Sequence, residues 1–533
     1  MASPAPDCVL CCVRCDARYP ADQVRYRCDC GETLDVTHDF AALAVGPPDF
    51  DARRASASPL DRSGVWRFRE LIAPFAPASD RREGDTSFYD LDAVARFVGA
   101  RLKLKHEGEN PTGSFKDRGM TVGIAAARAL GMTRVACAST GNTSASMAAY
   151  AAAAGMESLV FIPDGKISYG KLGQAIAYGA RTVQLAGDFD AAMALVQQVC
   201  TDRGIYLLNS VNPWRIEGQK TIGFELLQDR GWRVPDWIVL PGGNLGNCAA
   251  LGKGLAELRA LGFIDRLPRI AVVQASGASP LFAAWQAGRE GVEPVVADTI
   301  ATAIRIGDPV SWRKALRALH ATDGTVTAVT DAEIMQAKAV VDAAGIGAEP
   351  ASCTTVAGAR KLVAAGVIPA DADVCGVLTG HLLKDPEVVV GWHAGDLRQQ
   401  LGAPTRRPTS PSAAPPICRA CWRCWTPEPA RCHTRRMNAP LITAAALLRL
   451  AVGCKDPGDP CQLSLRNGRV HDPCATRCLD DVMNCPDGVH TNPGVCAGSR
   501  CQTDEDCQAG WICLPYEQDE SVAFCAPRDV CFD

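Results

Sequence analysis

The chain has 533 residues, 47% hydrophobic and 21% charged, enough apolar material for about three domains with buried cores. Its formal net charge is -4 and it contains no long basic block, which argues against a nucleic-acid-binding surface or steering to an anionic membrane. No window reaches the ~18 apolar residues that span a bilayer, and the first residues lack the pattern of a secretory leader.

The 26 cysteines divide the chain into three: six precede residue 31, five are scattered from 137 to 375, and fifteen lie between Cys418 and Cys531. In residues 1–45, Cys12 and Cys15, then Cys28 and Cys30, form two close pairs, with Tyr19 and Tyr26 available for a hairpin between them. Two knuckles that each offer two thiolates on one side are what tetrahedral zinc needs, so a structural zinc ribbon is expected. Cys8 and Cys11 offer a rival knuckle, and a hairpin of free thiols is the alternative to a metal site. After a linker, Ser63–Glu70 reads as a short structured approach. Glu83-Gly-Asp-Thr86 reads as a turn before a strand at Leu102–His106.

The segment Asn110-Pro-Thr-Gly-Ser-Phe-Lys-Asp-Arg-Gly119 places Lys116 after a turn, at the mouth of an Ala-rich helical run from Met120 to Leu130. A lysine there, backed by apolar surface, can lose hydration and become a usable amine. An isolated lysine at a helix start is more often simply solvated.

From 130 to 380, short apolar β-branched runs alternate with Ala-rich helical stretches. The strands expected are Arg134–Ala138, Ser158–Ile162, Arg181–Leu185, Ile205–Leu208, Asp236–Leu240, Arg269–Gln274 and Asp373–Leu378. This predicts an α/β protein with a mainly parallel, doubly wound sheet. Such sheets bind ligands at the carboxyl ends of strands, so the loops there carry the information. Ser139-Thr-Gly-Asn-Thr-Ser144 crowds hydroxyl and amide groups around one glycine, as a ligand cradle or a polar helix cap. In Asn209-Ser-Val-Asn-Pro-Trp-Arg215, Arg215 suits an anion, or a surface pair with Glu217. Pro241-Gly-Gly-Asn-Leu-Gly-Asn247 feeds a helix N-terminus, where backbone N–H groups and the helix dipole favour a phosphate. A plain βα turn is the alternative, since neither dinucleotide nor Walker glycine spacing fits. Thr379 projects into the same crevice; His381 is either a base or a structural histidine.

Taken together and in order, these loops resemble the threonine synthase family of pyridoxal-phosphate enzymes, of the tryptophan synthase β type. Ser63–Glu70, Gly165–Ala180, Ala301–Trp312, Gly345–Ser352 and Leu378–Pro386 belong to the same pattern, which spans about residues 8 to 395. The resemblance implies a fold type II enzyme over residues 46–402. Lys116 would form the Schiff base with pyridoxal 5'-phosphate, Asn142 would bond the ring oxygen, and Gly242, Gly243, Asn244, Leu245, Gly246 and Asn247 would form the phosphate cup. Thr379 would face the pyridine nitrogen. Ser139, Thr140 and Thr143 would hold the substrate carboxylate or phosphate, with Asn209, Ser210 and Arg215 on the substrate phosphate. The reaction implied converts O-phosphohomoserine and water into threonine and phosphate, in a cytoplasmic homo-oligomer without nucleic-acid or membrane partners. A related lyase or synthase, such as threonine dehydratase or cysteate synthase, is the nearest alternative.

Past about residue 401 the resemblance stops. Residues 403–436 are Pro-, Arg-, Ser- and Cys-rich without periodicity and read as linker or non-native sequence. Residues 437–454 resemble a bacterial lipoprotein signal ending at Cys454, or a short buried helix. Ten further cysteines in 455–533 resemble a small secreted disulfide module, with a non-catalytic binding role as its alternative function. A reducing compartment suits the first part and an exported, possibly lipidated state the second, so two joined reading frames are expected, with Met437 as the second start.

Overall fold

The computed structural model describes residues 7–402 apart from 80, 140, 164–168 and 186–188; beyond these it describes only 464–466, 469–471, 511–516 and 519–527. The expected lipoprotein-like signal and most of the cysteine-rich tail therefore lie outside the described residues. The chain divides into two units, residues 1–416 and 417–533. In the second, Ser464–Arg466 pairs with Arg469–His471 and Trp511–Tyr516 with Asp519–Pro527, both antiparallel.

The first unit begins with a three-stranded antiparallel ribbon of β1 (Cys8–Cys12), β2 (Arg18–Pro20) and β3 (Leu34–His38), in the order β2-β1-β3. Leu10, Leu34 and Val36 are fully buried and join the same apolar cluster as Phe50, Met120, Trp214 and Phe224. The ribbon is thus sealed onto the α/β body by the hydrophobic effect.

Ten further strands form two sheets. β4 (Phe88–Asp90), β5 (Leu102–His106), β10 (Trp237–Pro241), β11 (Arg269–Ala275), β12 (Thr325–Val329) and β13 (Val374–Leu378) make a six-stranded sheet in the order β12-β11-β10-β13-β5-β4. All its neighbours are parallel except β4, which runs antiparallel at one edge. β6 (Arg134–Ala138), β7 (Glu157–Pro163), β8 (Arg181–Leu185) and β9 (Tyr206–Leu207) make a four-stranded parallel sheet in the order β8-β7-β6-β9. β10 and β13 are fully buried along their length, as strands covered on both faces must be. The mainly parallel α/β expectation agrees with this architecture, and all the expected strands are present to within one or two residues. Two edge strands were not expected: β12, whose Thr-Val-Thr-Ala-Val lacks a continuous apolar run, and the three-residue β4. β4 is short and half-exposed, and β12, though mostly buried, interrupts its apolar residues with Thr327, so neither shows the continuous apolar run that marks the other strands.

In the six-stranded sheet the chain runs from β10 outward to β11 and β12, then returns to place β13 on the other side of β10. The crevice beyond the carboxyl ends of β10 and β13 is therefore a topological switch point, where such sheets bind ligands. The loop after β5 opens beside it and carries Lys116.

Candidate active site

Lys116 is the first residue of the helix Lys116–Ala129, as its position after the turn implied. What fixes that helix is a buried charge network. Arg118 donates from Nε and Nη2 to the two Glu107 oxygens, at 2.6 and 2.7 Å, and from Nη2 and Nη1 to Glu225, at 3.0 and 3.2 Å. All three side chains are fully buried, and a bidentate fork satisfied on both sides leaves the first helical turn one position. Asp117 accepts from the Thr112 backbone N–H (2.7 Å), the Thr112 hydroxyl (2.5 Å) and the Ser146 hydroxyl (2.5 Å), tying the turn and the helix Asn142–Ala153 to the same point.

Lys116 itself is left over from this network. Its Nζ has no hydrogen-bond partner among the described residues and lies 4.2 Å from the centroid of the Phe115 ring. Part of the side chain is open to the cleft, yet burial by the surrounding protein, with the charge of Arg215, lowers its pKa from 10.5 to about 7; the Glu349 carboxylate acts in the opposite sense. A fraction of the amine is therefore neutral and nucleophilic at ordinary pH.

Arg215 lies on the helix Pro213–Gln219, which starts on the Asn212 side chain accepting from the Trp214 N–H (3.0 Å) and has Pro213 at its first position. This helix meets the Lys116 helix backbone to backbone. A methyl group at Gly218 would stand 1.8 Å from the Arg118 carbonyl oxygen, and one at Gly119 would stand 2.8 Å from the Arg215 carbonyl oxygen. Only glycine permits that approach, and it brings Arg215 near Lys116. The alternative of a surface pair with Glu217 is excluded: Arg215 is 2% exposed, and Glu217 instead engages His38 (2.7 Å), Lys220 (2.5 Å) and Lys253 (2.8 Å). Arg215 Nη1 donates to the Leu208 carbonyl (3.1 Å), but its buried Nε has no partner. Burial without a counter-charge lowers its pKa to about 10. A buried guanidinium with no counter-charge and a bare Nε costs free energy, and a bound anion removes that cost.

Around these two cations stand the other expected residues. After β10, Leu245 adopts a left-handed backbone (φ 63°) and the helix Gly246–Ala260 begins at Gly246. The N–H groups of Gly243, Leu245, Gly246 and Asn247 find no acceptor among the described residues, and Asn247 Nδ2 is buried without a partner. A phosphate dianion fits such a set of donors at a helix start. The Asn244 side chain is committed otherwise: Nδ2 donates to Ser210 Oγ (2.9 Å) and Oδ1 accepts from the Val310 N–H (2.7 Å), so it fastens the cup to the loop after β9. Asn209 is likewise held, Oδ1 accepting from the Ala138 N–H (2.9 Å) and Nδ2 donating to the Ala138 carbonyl (3.1 Å), which locks β9 to β6. Ser139 Oγ accepts from the Gly141 N–H (3.2 Å), Thr143 is partly exposed in the first turn of its helix, and Thr140 lies outside the described residues. Gly242 donates its N–H to the Val273 carbonyl (2.7 Å). His381 takes the structural role, its Nδ1 accepting from the Leu383 N–H (3.1 Å) as a cap.

Two residues that touch this cluster, Glu349 and Ser352, have no place in the sequence reading beyond the stretch Gly345–Ser352 that contains them. Glu349, 1% exposed, accepts from Asn142 Nδ2 (3.0 Å) and from Thr379 Oγ1 (3.3 Å). Ser352 Oγ lies 3.0 Å from Thr379 Oγ1. Gly380 exists as glycine to make room for this carboxyl, since a methyl group there would stand 2.4 Å from Glu349 Cδ. Glu349 thus joins the two side chains expected at the cofactor ring. Its signal was a glutamate just before a Pro-initiated helix, which reads as an ordinary helix start.

In the ribbon, the sulfurs of Cys12, Cys15, Cys28 and Cys30 all lie within 4.8 Å of one another, with Cys12–Cys30 at 3.6 Å and Cys15–Cys28 at 3.5 Å. That is too far for a disulfide and near the edge of about 3.8 Å that four sulfurs at ~2.3 Å from one metal would share. Cys8 and Cys11 stand apart from the cluster.

Comparison with known proteins settles what the cleft belongs to. Residues 80–380 match the family of pyridoxal-phosphate dependent enzymes. Threonine synthase of Methanosarcina acetivorans is 46% identical over 383 residues, covering 71% of this chain and 93% of that protein. The chain belongs to the threonine synthase family. Threonine synthase of Methanocaldococcus jannaschii is 42% identical, again over 71% of this chain and 93% of that protein. Threonine synthase 2 of Arabidopsis thaliana, a chloroplast protein, is 39% identical over 72% of this chain and 77% of that one. More than a quarter of this chain has no counterpart in those threonine synthase alignments.

Proposed function

We infer that this cleft carries out the threonine synthase reaction, converting O-phospho-L-homoserine and water into L-threonine and phosphate. The observation that carries the reading is the presence of two candidate anion positions together with one lysine whose pKa is lowered to about 7. One is the row of N–H groups from Gly243 to Asn247 without acceptors among the described residues; the other is the buried guanidinium of Arg215, whose Nε has no hydrogen-bond partner. A dehydratase acting on threonine needs only the first.

Lys116 would hold pyridoxal phosphate, which when bound would supply an electron sink for a substrate carbanion. Gly243, Leu245, Gly246 and Asn247 would hold its phosphate, Asn142 its ring oxygen and Thr379 its ring nitrogen; Gly242, expected in the cup, has its N–H committed to the Val273 carbonyl and would only shape the loop. Asn244 would act by fastening that loop. Arg215 and Ser210 would grip the substrate phosphate and neutralise it as it leaves, with Asn209 holding their loop in place. Ser139, Thr140 and Thr143 would hold the substrate carboxylate. Lys116 Nζ would take and return protons at the substrate's α and β carbons, a task for which a pKa of about 7 is suited.

The four ribbon sulfurs are proposed to hold zinc. Their mutual distances support a tetrahedral set, and the metal's contribution would be to folding. Substitution of Cys28 by serine should lower metal content by one equivalent per chain, measured by elemental analysis of the full chain. The reaction is tested by phosphate release from O-phosphohomoserine. Release matched one to one by threonine supports the reading; keto acid and ammonia from threonine without phosphate release would replace it with a dehydratase.

A further inference from the structure

We propose that the protonation state of Glu349 sets which way the Thr379 hydroxyl donates its hydrogen bond, making Glu349 a positioning residue that ties cofactor binding to pH. This rests on the placing of Thr379 against the ring nitrogen.

Ser352 Oγ accepts from the backbone N–H of Thr379 (2.8 Å) and of Gly380 (2.9 Å). A hydroxyl has two acceptor positions and one proton, so Ser352 is left only to donate. Its best acceptor is Thr379 Oγ1 at 3.0 Å; the Gly380 carbonyl, at 3.4 Å, is the poorer one. Thr379 therefore accepts from Ser352 and has one proton to place. That proton goes either to Glu349 Oε1, 3.3 Å away, or out into the cleft.

Glu349 decides between the two. Oε2 accepts from Asn142 Nδ2 (3.0 Å), so an acid proton, when present, belongs on Oε1, facing Thr379. An ionised carboxylate is a strong acceptor and takes the Thr379 proton. A neutral carboxyl donates to Thr379 instead, fills its second acceptor position and leaves its proton free for the ring nitrogen. Burial raises the Glu349 carboxyl from 4.5 to about 7, and Asp385 pushes the same way; Asn142, Lys384 and Lys116 oppose it. Among the described residues the charged groups acting on it are thus Asp385, Lys384 and Lys116, with Asn142 as a neutral hydrogen-bond donor, and the balance falls near neutral pH.

The test uses cofactor-free full-length protein and pyridoxine 5'-phosphate, which keeps the ring nitrogen and phosphate but lacks the aldehyde, so Lys116 chemistry does not enter. Affinity is measured by fluorescence titration at pH 6 and pH 8.5. Glu349→Gln, whose amide is a permanent donor to Thr379, should bind within about twofold of wild type at pH 6. At pH 8.5 it should bind roughly three- to tenfold tighter than wild type, the worth of one hydrogen bond. A wild-type-to-variant ratio that does not change with pH overturns the inference. Thr379→Val separates the two layers. It should cost wild type more at pH 6 than at pH 8.5, a comparison that stands even if Glu349→Gln fails to fold. An equal cost at both pH values overturns the role of Glu349 while leaving Thr379 at the ring. No cost at either pH removes Thr379 from the ring, and the inference with it.

Discussion

Lys116 shows what the fold does to one residue. In a peptide it would be a hydrated cation; here Arg118, two residues on, is locked by Glu107 and Glu225, while Lys116 is left without a partner beside another cation. Lys116→Met should abolish turnover and the visible absorption of bound cofactor. It should also stabilise the cofactor-free protein, because the burial of a charge is removed. The sign follows from the lowered pKa. Between about pH 7 and 10.5 the unfolded chain holds a proton at this lysine that the folded chain has lost, so stability rises with pH there. The gain from Lys116→Met should therefore be largest at and below pH 7, a few degrees in melting temperature, and shrink toward pH 10. A gain that grew with pH would show that Lys116 is charged and satisfied. Lys116 and Arg215 were legible in the sequence because each stands in a turn at the end of a strand or opening a helix. Glu349 was not, because a glutamate before a proline at a helix start looks the same whether it faces solvent or a cofactor; only the return of β13 beside β10 brings Thr379 and Gly380 against it.

At the level of elements, the site depends on two helices that touch and a ribbon that braces one of them. Gly218→Ala should force the Pro213–Gln219 helix away from Arg118, destabilising the protein by about 1–3 kcal/mol in denaturant titration and raising the KM for the phosphorylated substrate. An unchanged midpoint would mean the helices do not meet as described. The ribbon reaches the same helix through His38, whose Nε2 bonds Glu217 at 2.7 Å, and reaches β9 through Tyr26, whose hydroxyl accepts from the Leu207 N–H at 2.7 Å. The two anchors, Leu207 and Glu217, flank Arg215 on the same stretch. Removing the metal proposed for the ribbon with a chelator should thus raise the KM for O-phosphohomoserine more than it changes the bound cofactor's absorption. Equal loss of both would make the ribbon a general folding device only. The cysteine spacing announced the ribbon, but not its connection to the substrate side, since His38 and Tyr26 carry no motif and act across 179 and 181 residues of sequence.

For the whole molecule, the relatives align with about seven tenths of the chain, and the unit that contains both sheets and the ribbon ends at residue 416. The proposal that the chain is two joined frames, with residues 403–436 as linker, makes the enzyme complete without its tail. A protein ending at Gly402 should keep wild-type turnover and melting temperature; loss of either would make the tail part of the enzyme. The α/β architecture was readable because buried parallel strands are short, apolar and evenly spaced. The tail was readable only as composition, since cysteines specify a fold through pairings that spacing does not encode. The central claim concerns the cleft, and one measurement addresses it directly: phosphate and threonine formed from O-phosphohomoserine by wild type and by Arg215→Leu, with the bound cofactor's absorption followed in both. The account predicts equal amounts of phosphate and threonine from wild type. It also predicts a fall of at least about a hundredfold in kcat/KM for the variant, the loss expected when a buried charge that grips a leaving anion is removed, with cofactor absorption unchanged. Wild-type activity on threonine without phosphate release, or a variant that still turns over the phosphorylated substrate normally, would contradict it.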